Sequence, residues 1–542
     1  MSSLKGARNW KGFPVQIALI LLGALLFAGS FPNPIAINGL SFLGWIAFVP
    51  VFWVIYQVSL PASIFFGALY GYAAYGLFNY WLSVFHPLAG LIVGSIYLVY
   101  FAILFPLLKL ATILFPRKGY IVQWILWIAY EFLRTQGFLG YPYGITGYSQ
   151  WQVLPVIRIA AIFGVWGVSA LVVFPSVYIA GALRDRQPLG TPRGGFIRPL
   201  RAFLSQEWAA ALVWVIALTA TLVYGFVSPV DYSAAPKAHV ALIQHNTDPW
   251  RGGITEYRKN FDTLRRLSLE ALDAAPETDL VVWSETAFVP RIFWHTMYRD
   301  DPESFLLVRD LMDFLATQEV PYVIGNDDAR RELNAQGILE RVDYNGVMLF
   351  EGNTINQIYR KLHLVPFTEH FPYQKQLPWI YDMLEKADTH FWKEGEEATV
   401  FESRGLKFST PICFEDIFGY LSRDFVRNGA ELIVNLSNDA WSKSVPAQMQ
   451  HLSMAVFRAV ENRRSMVRST ASGQTCAIDP YGKVLAMAEP FTEAWINVEV
   501  PVISPNTPYT FWGDIWGKLF VLAAAFMLIL GALRGIMRKG RN

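Results

Sequence analysis

The sequence predicts an α/β globular domain that is inserted between the transmembrane helices of a polytopic membrane domain. Two observations lead to this prediction. Hydrophobic residues make up 53% of the 542-residue chain and charged residues only 16%, whereas charged residues average about 25% of soluble domains. The charges are also unevenly distributed, because residues 12–180 contain few ionisable groups and residues 236–503 have the mixed composition of a soluble domain. The chain therefore divides into a membrane part, a globular part and a final membrane segment.

Eight apolar stretches are near the length of a transmembrane helix, since about 20 residues cross a hydrocarbon core of about 30 Å. They lie at residues 13–31, 40–57, 62–83, 88–115, 119–136, 156–182, 208–228 and 515–536. The weakest are the second, which Pro50 interrupts, and the fifth, which contains Glu131. We therefore expect a membrane domain of about seven helices over residues 1–235, a globular domain over 236–503, and a last helix with a basic tail over 504–542.

Basic residues cluster in four of the segments that flank these stretches. They are Lys5, Arg8 and Lys11 before the first stretch, Arg117 and Lys118 after the fourth, Arg184, Arg186, Arg193, Arg198 and Arg201 after the sixth, and Arg534, Arg538, Lys539 and Arg541 after the eighth. Eight spans place all four clusters on one side of the membrane, which is the cytoplasmic side because short cytoplasmic loops are rich in Lys and Arg. The sequence thus predicts cytoplasmic termini and an external globular domain. Seven or nine spans would break this agreement.

Two ionisable residues, Glu131 and Arg134, lie in the fifth apolar stretch. Charges at membrane depth are costly and usually face a cavity or a partner. Their helical spacing suggests that the two side chains pair with each other. The aromatic and glycine-rich segment 137–151 that follows cannot be a regular span. It is predicted to be a re-entrant or interfacial segment that borders a lipid site.

The globular part has the alternating strand and helix patterns of an α/β domain. Short apolar runs predict strands at residues 238–244, 279–283, 322–325, 345–350, 355–360, 399–401, 406–413 and 431–435, with a hairpin at 477–485. Apolar residues at helical spacing predict helices at 254–273, 305–318 and 447–463. The histidines do not form ligand pairs at helical spacing, and no glycine loop for a phosphate is recognisable. The sequence therefore predicts no metal and no cofactor.

The chain has only two cysteines, Cys413 and Cys476. Two cysteines are too few for the disulfide framework of an exported domain. Cys476 lies in an apolar run, as expected of a small buried side chain. Cys413 ends a predicted strand and is followed by acidic residues, and a reactive thiolate requires such a polar setting. The sequence therefore favours Cys413 as a nucleophile.

Three residues, Glu285, Lys361 and Cys413, each follow a predicted strand, where side chains of an α/β domain can converge on one rim. Together they would form a coherent nucleophilic site. A carboxylate can take the thiol proton, and an ammonium can stabilise first the thiolate and then a tetrahedral oxyanion. Spacing alone supports this hypothesis weakly, since any α/β domain has charged residues after its strands.

The segments around these residues resemble the apolipoprotein N-acyltransferases, a membrane family of the carbon–nitrogen hydrolase (nitrilase) superfamily. The resemblance rests on segments along nearly the whole chain. They are Trp283-Ser284-Glu285, the stretch from Tyr359 to Glu369, Ile412-Cys413-Phe414-Glu415, Ser437-Asn438-Asp439-Ala440-Trp441, and in the membrane part Glu131-Phe132-Leu133-Arg134 and Gly140-Tyr141-Pro142-Tyr143-Gly144. The Glu, Lys and Cys motifs are typical of the superfamily. The segment from Lys361 to Glu369, the Asn-Asp-Ala-Trp motif and the flanking spans are typical of the acyltransferases.

The resemblance implies an αββα nitrilase-like sandwich inserted between transmembrane helices. It implies Glu285 as base, Lys361 as stabiliser of thiolate and oxyanion, and Cys413 as nucleophile. A supporting role falls on Glu369, beside the lysine, and on Glu415. Substrate contacts are implied at Phe414, Trp441 and Trp250. Phe414 departs from the tyrosine that is common in the family, Ser442-Lys443 replaces a Phe-Gly pair, and Ala471-Ser472 replaces an asparagine-containing pair. These departures affect the expected substrate preference more than the reaction type.

The implied activity is transfer of a fatty acyl chain from a phospholipid to the α-amine of a diacylglyceryl-cysteine apolipoprotein, through a thioester on Cys413. The implied location is the bacterial cytoplasmic membrane, with the catalytic domain outside. No nucleic acid partner is expected, and the oligomeric state is not indicated. The alternative is a membrane-anchored amidase or nitrilase that hydrolyses a soluble C–N substrate. Seven spans before the domain favour the lipid substrate, because one span would suffice as an anchor. A binding or scaffold protein without activity is disfavoured by the intact Glu, Lys and Cys.

Overall fold

The computed structural model of the chain describes residues 12–85, 89–184, 197–248, 251–334, 337–386 and 390–539. The chain separates into two compact units. The first consists of Met1–Pro229, Met449–Ser453 and Trp512–Asn542, and the second of Val230–Gln448 and Met454–Phe511.

Helices form the first unit. In chain order they are α1 Phe13–Ser30, α2 Ser41–Gly44, α3 Val49–Gln57, α4 Leu60–Phe78, α5 Leu82–Phe85, α6 Ala89–Leu114, α7 Gly119–Leu133, α8 Leu154–Ile157, α9 Ala160–Ala182 and α10 Ile197–Val227. A terminal helix, Ile515–Lys539, belongs to the same unit. In the described part of the chain, five helices are long and apolar enough to cross a membrane, and they coincide with the first, fourth, sixth, seventh and eighth predicted stretches.

The helices of the other three predicted stretches are not among these five. The second is divided into α2 and α3, and Pro50 lies in the first turn of α3, where its missing N–H costs no helical hydrogen bond. The third contains α4, which has 19 residues, and the fifth contains α7, which has 15. The chain is thus a membrane protein with several apolar helices, and the total of eight spans stays a prediction.

The predicted pairing of Glu131 with Arg134 is wrong, because each side chain holds the segment that follows α7. Glu131 accepts hydrogen bonds from the Thr146 amide at 3.1 Å and from its hydroxyl. Arg134 donates to the carbonyl oxygens of Tyr141 and Tyr143 at 2.7 and 2.9 Å. Segment 137–151 is indeed not a regular span. Its backbone turns through a buried 3₁₀ helix, Thr146–Gln150, which these charged residues anchor.

Two six-stranded sheets organise the described part of the second unit. Their strands are β1 Lys237–Gln244, β2 Leu280–Val282, β3 Tyr322–Leu333, β4 Leu339–Glu351, β5 Thr354–Arg360, β6 Val400–Ser403, β7 Leu406–Ser409, β8 Leu432–Ser437, β9 Ser465–Thr470, β10 Cys476–Ile478, β11 Val484–Met487 and β12 Ala494–Pro501. The strand order is β12-β1-β2-β3-β4-β5 in the first sheet and β11-β10-β9-β8-β7-β6 in the second.

Helices connect the parallel strands of both sheets. α11 Ile254–Ala274 follows β1, α12 Ile292–Tyr298 and α13 Pro302–Ala316 follow β2, α15 Gly419–Arg427 follows β7, and α16 Val445–Asn462 follows β8. Outside these connections, α14 Pro378–Lys386 lies between β5 and β6, α17 Pro508–Trp512 follows β12, and the terminal helix Ile515–Lys539 is α18. β1, β2 and β3 are parallel in the first sheet, and β7, β8 and β9 in the second. Parallel neighbours require such crossover connections. The apolar faces of α11 and α13 pack on the first sheet in one buried core.

The two sheets lie face to face, as the αββα sandwich requires. The Ser469 hydroxyl on β9 donates to the carbonyl oxygens of Ile243 and Val282, both at 3.1 Å, and so links the second sheet to β1 and β2. The predicted fold class is confirmed. Catalytic side chains of such sheets lie beyond the carboxyl ends of the parallel strands.

Candidate active site

The three predicted catalytic residues lie beyond strand ends, at unequal distances from them. Glu285 follows β2 by three residues, and Lys361 directly follows β5. The sequence predicted a strand that ends at Cys413. This prediction is wrong, because Cys413 lies four residues beyond the end of β7. β7 ends at Ser409 because the chain then turns through Pro411, which cannot donate a ladder hydrogen bond. Cys413 opens the 3₁₀ helix Cys413–Ile417 instead.

Lys361 is the buried centre of the site. Its Nζ atom donates to Glu369 Oε1 at 2.8 Å and lies 3.5 Å from Glu285 Oε1, and the lysine has no exposed surface. Burial by itself would lower the pKa of Lys361, but the charges of Glu369 and Glu285 outweigh it and raise this pKa above its usual value. An ammonium held between two carboxylates is a permanent positive charge in a dry place. This charge is available to a neighbouring thiolate or oxyanion.

Asn345 is a member of the site that the sequence reading missed. Its Nδ2 atom donates to Glu285 Oε1 at 3.0 Å and to Glu369 Oε1 at 3.4 Å. The Lys361 amide also donates to the Asn345 carbonyl oxygen at 2.9 Å. The sequence feature that could have revealed it is an asparagine inside an apolar strand, since a buried polar group must have a hydrogen-bond partner. Asn345 fixes Glu285 and Glu369 on either side of the lysine.

Cys413 has a backbone conformation that is unusual for a residue with a side chain, with φ of 47°. Such strain persists only where surrounding contacts impose it. Here the Asn435 side chain donates to the carbonyl oxygens of Pro411 and Cys413, at 3.0 and 3.4 Å. Ile412 and Leu436 also form a single parallel bridge. These contacts hold the cysteine, whose side chain is half-buried, against the end of β8.

The thiol of Cys413 and the carboxyl group of Glu285 affect each other's ionisation, since Cys413 lowers the pKa of Glu285 and the Glu285 charge acts on the thiol. Burial raises the pKa of Cys413, the Glu285 charge raises it further, and the Lys361 charge opposes both. Burial also raises the pKa of Glu285, again against the charge of Lys361. The resting thiol therefore keeps its proton, and Glu285 is positioned to remove it when a substrate arrives.

Glu415 is a buried carboxylate surrounded by donors. It accepts from the amides of Leu362, His363 and Ile412 at 2.7, 3.0 and 2.7 Å, and from the Tyr359 hydroxyl at 2.8 Å. Burial raises its pKa to about 7, against the hydrogen bond from Ile412. With its oxygens occupied in this way, Glu415 braces the backbone around the lysine and the cysteine and does not face a substrate.

The predicted substrate-contacting aromatic residues have different positions. Phe414 is buried, and its ring lies 5.1 Å from that of Phe418. Trp441 is half-buried in the 3₁₀ helix Asp439–Ser442, after β8. Phe367 and Phe371, near Glu369, have ring centres 5.8 Å apart. Trp250 lies outside the described residues. Across those residues, no group of three potential metal ligands occurs.

The chain matches the family models of two domains. Residues 239–503 match the model described as carbon-nitrogen hydrolase. Residues 22–178 match the model described as apolipoprotein N-acyltransferase N-terminal domain. The first match covers the two sheets, and the second covers most of the apolar helices before them.

Curated relatives align along almost the entire chain. Apolipoprotein N-acyltransferase 1 from Treponema pallidum (strain Nichols) is 47% identical over 538 residues, covering 97% of each chain. Apolipoprotein N-acyltransferase 1 from Treponema denticola is 43% identical, covering 95% of this chain and 97% of the relative. Apolipoprotein N-acyltransferase from Geobacter metallireducens is 31% identical, covering 95% of each. With both domains matched and these relatives aligned from end to end, the chain belongs to the apolipoprotein N-acyltransferase family.

Proposed function

We propose that this membrane protein transfers a fatty acyl chain from a phospholipid to the N-terminal amine of a diacylglyceryl-cysteine apolipoprotein, with Glu285, Lys361 and Cys413 as catalytic residues. The observation that carries the proposal is the position of the Lys361 ammonium, 2.8 Å from Glu369 and 3.5 Å from Glu285. The charges of Lys361 and Glu285 both act on the Cys413 thiol. Family membership supports the acyl donor and acceptor.

The first step would form an acyl-enzyme. Glu285 takes the thiol proton while Cys413 Sγ attacks the carbonyl carbon of the phospholipid ester. The tetrahedral oxyanion forms beside Lys361, whose charge is fixed before the reaction and so requires no reorganisation. The bond from the carbonyl carbon to the glycerol oxygen then breaks. The Glu285 proton passes to that oxygen, which leaves as the hydroxyl group of a lysophospholipid, and a thioester remains on Cys413.

The second step would return the enzyme to its starting state. The neutral α-amine of the apolipoprotein attacks the thioester carbon, and Glu285 accepts one proton from its nitrogen. The C–S bond breaks, the acyl chain becomes an amide, and the thiolate recovers its proton from Glu285. One carboxyl group serves both steps because each begins with a proton removed and ends with one donated.

The thioester must resist water until it meets the amine. Excluding water protects a reactive intermediate from hydrolysis. An apolar wall could be supplied by four aromatic residues that are close in sequence to the site, Phe367, Phe371, Phe414 and Trp441. Each buried methylene of the acyl chain adds about 0.8 kcal/mol to its retention. We place the enzyme in the bacterial cytoplasmic membrane. The catalytic domain, residues 236–503, would lie outside between a membrane domain, 1–235, and a terminal span, 504–542.

A two-stage incubation tests the proposal. The purified full-length protein is first given phospholipid alone, and mass spectrometry is used to locate an acyl adduct. A peptide with a diacylglyceryl-cysteine and a free α-amine is then added. We expect a thioester on Cys413 that hydrolyses slowly and is discharged rapidly to an N-acylated peptide. An enzyme that hydrolyses small soluble amides and takes no acyl chain from phospholipid would instead be the membrane-anchored amidase.

A further inference from the structure

A buried polar group lies behind Cys413, on the β8 side. The bridge between Ile412 and Leu436 brings the next residues, Cys413 and Ser437, side by side at the end of β8. The neighbouring Ser437 hydroxyl lowers the pKa of Cys413, against the larger effect of burial. Ser437 is fully buried, so its hydroxyl is not exchanging hydrogen bonds with bulk water.

The same hydroxyl is connected to a buried ion-pair network. Ser437 Oγ donates to Asp439 Oδ1 at 3.0 Å. The other oxygen of Asp439 lies 3.6 Å from Nη2 of Arg468. Arg468 also forms an ion pair with Asp416, and both of those side chains are fully buried.

Gly473 closes the network on one side. A Cβ atom at this position would lie 2.6 Å from Cβ of Asp439, so the backbone approaches the aspartate more closely than any other residue would allow. An ion-pair network alone could serve packing. What sets this one apart is Ser437, whose hydroxyl donates to the Asp439 carboxylate and which the Ile412–Leu436 bridge makes a neighbour of Cys413.

We propose that Ser437 is a positioning residue for Cys413 and that its hydroxyl turns from Asp439 to the sulfur whenever the sulfur carries negative charge. In the resting enzyme the thiol proton points to Glu285 and the Ser437 proton to Asp439. After Glu285 has taken the thiol proton, the Ser437 proton turns to the thiolate. Arg468 keeps the Asp439 carboxylate paired in both arrangements. No bond to the serine forms or breaks.

The inference rests on the proposed function, because only a nucleophilic cysteine becomes a thiolate. A thiolate arises twice in that reaction, before it attacks the phospholipid and when it leaves the thioester. Hydrogen bonds to a charged acceptor are stronger than those to a neutral one. The serine therefore favours both the attacking and the leaving sulfur. Lys361 acts in the same direction, whereas the charges of Glu285 and Asp439 oppose ionisation of the thiol.

Three variants of the full-length enzyme test this role. Ser437→Ala removes the hydroxyl, and Ser437→Thr retains it. Ser469→Ala is the matched control, because Ser469 is a buried serine on the neighbouring strand whose hydroxyl donates only structural bonds to Ile243 and Val282. The pH dependence of Cys413 alkylation by a small reagent gives the thiol pKa. Pre-formed acyl-enzyme mixed with the amine peptide gives the discharge rate.

We expect Ser437→Ala to raise the alkylation pKa by about one unit and to slow discharge about ten-fold, one pKa unit corresponding to a ten-fold change. Ser437→Thr and Ser469→Ala should keep the wild-type values. Ser437→Ala values equal to those of Ser469→Ala would overturn the inference, as would a Thr variant that behaves like Ala. If Ser437→Ala does not fold, wild-type behaviour of Ser437→Thr supports the inference and its loss contradicts it. Failure of the wild type to form any acyl-enzyme would refute the proposed function instead.

Discussion

The Glu415 carboxylate accepts a hydrogen bond from the Leu362 amide at 2.7 Å, immediately after Lys361 in the chain. Its other oxygen accepts from the Ile412 amide at 2.7 Å, immediately before Cys413. One carboxyl group therefore ties together the backbone segments that carry the lysine and the cysteine. The relative position of these two groups, which we propose to be catalytic, depends on a residue that need not touch the substrate.

Glu415→Gln should damage both activity and stability. The glutamine side chain has an oxygen that accepts and a nitrogen that only donates, so at least one buried backbone N–H loses its partner, at a cost of about 1–3 kcal/mol. We expect a lower thermal midpoint and acyl-enzyme formation slowed at least about ten-fold, since about 1.4 kcal/mol in the barrier is ten-fold in rate. Glu402→Gln, at an exposed glutamate, is the control. Unchanged acyl-enzyme formation in Glu415→Gln would show that the brace is not needed.

The two cysteines should respond oppositely to removal. Cys413→Ala should abolish acyl transfer, because no other group in the proposed mechanism can carry the chain. Cys476 is fully buried on β10, so Cys476→Ala should cost stability through lost packing and leave the chemistry intact. Single-turnover acyl transfer and thermal unfolding measure the two effects. Full transfer by the Cys413→Ala protein would exclude the thioester mechanism.

His245 should make stability fall in mild acid. Burial lowers its pKa to about 4, whereas an unfolded histidine titrates near about 6.5. Between these values the unfolded chain binds more protons than the folded chain, so stability is lost as pH falls. The loss at about pH 5 should be about 2 kcal/mol relative to neutral pH. His245→Gln should remove that part of the pH dependence. Equal dependence in wild type and variant, measured by thermal unfolding, would contradict the assignment.

The orientation prediction follows from the one-sided basic clusters. In a protein lacking Cys413 and Cys476, single cysteines are introduced at Asp300, which is exposed, and at Gly190, in the predicted loop after the sixth span. The outer layers of the cells are made permeable while the cytoplasmic membrane stays closed. A thiol reagent that cannot cross this membrane should then label position 300. Position 190 should react only after the cytoplasmic membrane is opened. Labelling of both positions from the same side would disprove the eight-span topology.

Much of the sandwich could be predicted because its strands are apolar and regularly interrupted. β9 and β12 were missed for physical reasons. β9 contains Arg468 within a fully buried strand, and sequence patterns read an arginine as exposed unless its partners, here Asp416 and Asp439, are known. β12 is half-buried at a sheet edge, and its pairing with β1 joins residues 250 to 264 positions apart, from Gln244 with Ala494 to Lys237 with Pro501.

The sequence pointed to candidate site residues where a polar residue follows a strand, and not where contacts cross the fold. Lys361 and Cys413 could be named from their segments, but the sequence did not reveal that Glu415 bonds the backbone beside both. The predicted strand 406–413 was too long, since β7 ends at Ser409. Ile412 pairs only through a single bridge with Leu436, on a strand that comes later in the chain. Asn345 was read only as part of a hairpin, since its role depends on two carboxylates that are distant in sequence.

Asn345 should set the pH at which the enzyme begins to work. Its hydrogen bond lowers the pKa of Glu285, against the larger effect of burial. Glu285 must be ionised to take the thiol proton, so a higher pKa moves the acidic limb of the activity profile to higher pH.

Asn345→Asp places a third carboxylate beside Glu285 and Glu369, and Asn345→Ala removes the donor without adding charge. In the Asp variant, we expect the apparent pKa of the acidic limb of the kcat/KM profile to increase by about one unit or more, because like charges disfavour ionisation. In the Ala variant, this pKa should increase by less. Asn356→Asp, at an asparagine on β5 that bonds Glu351 and not the site, is the control and should leave the limb in place. Acidic limbs that coincide in wild type and Asn345→Asp would mean that Glu285 is not the base whose ionisation limits the rate.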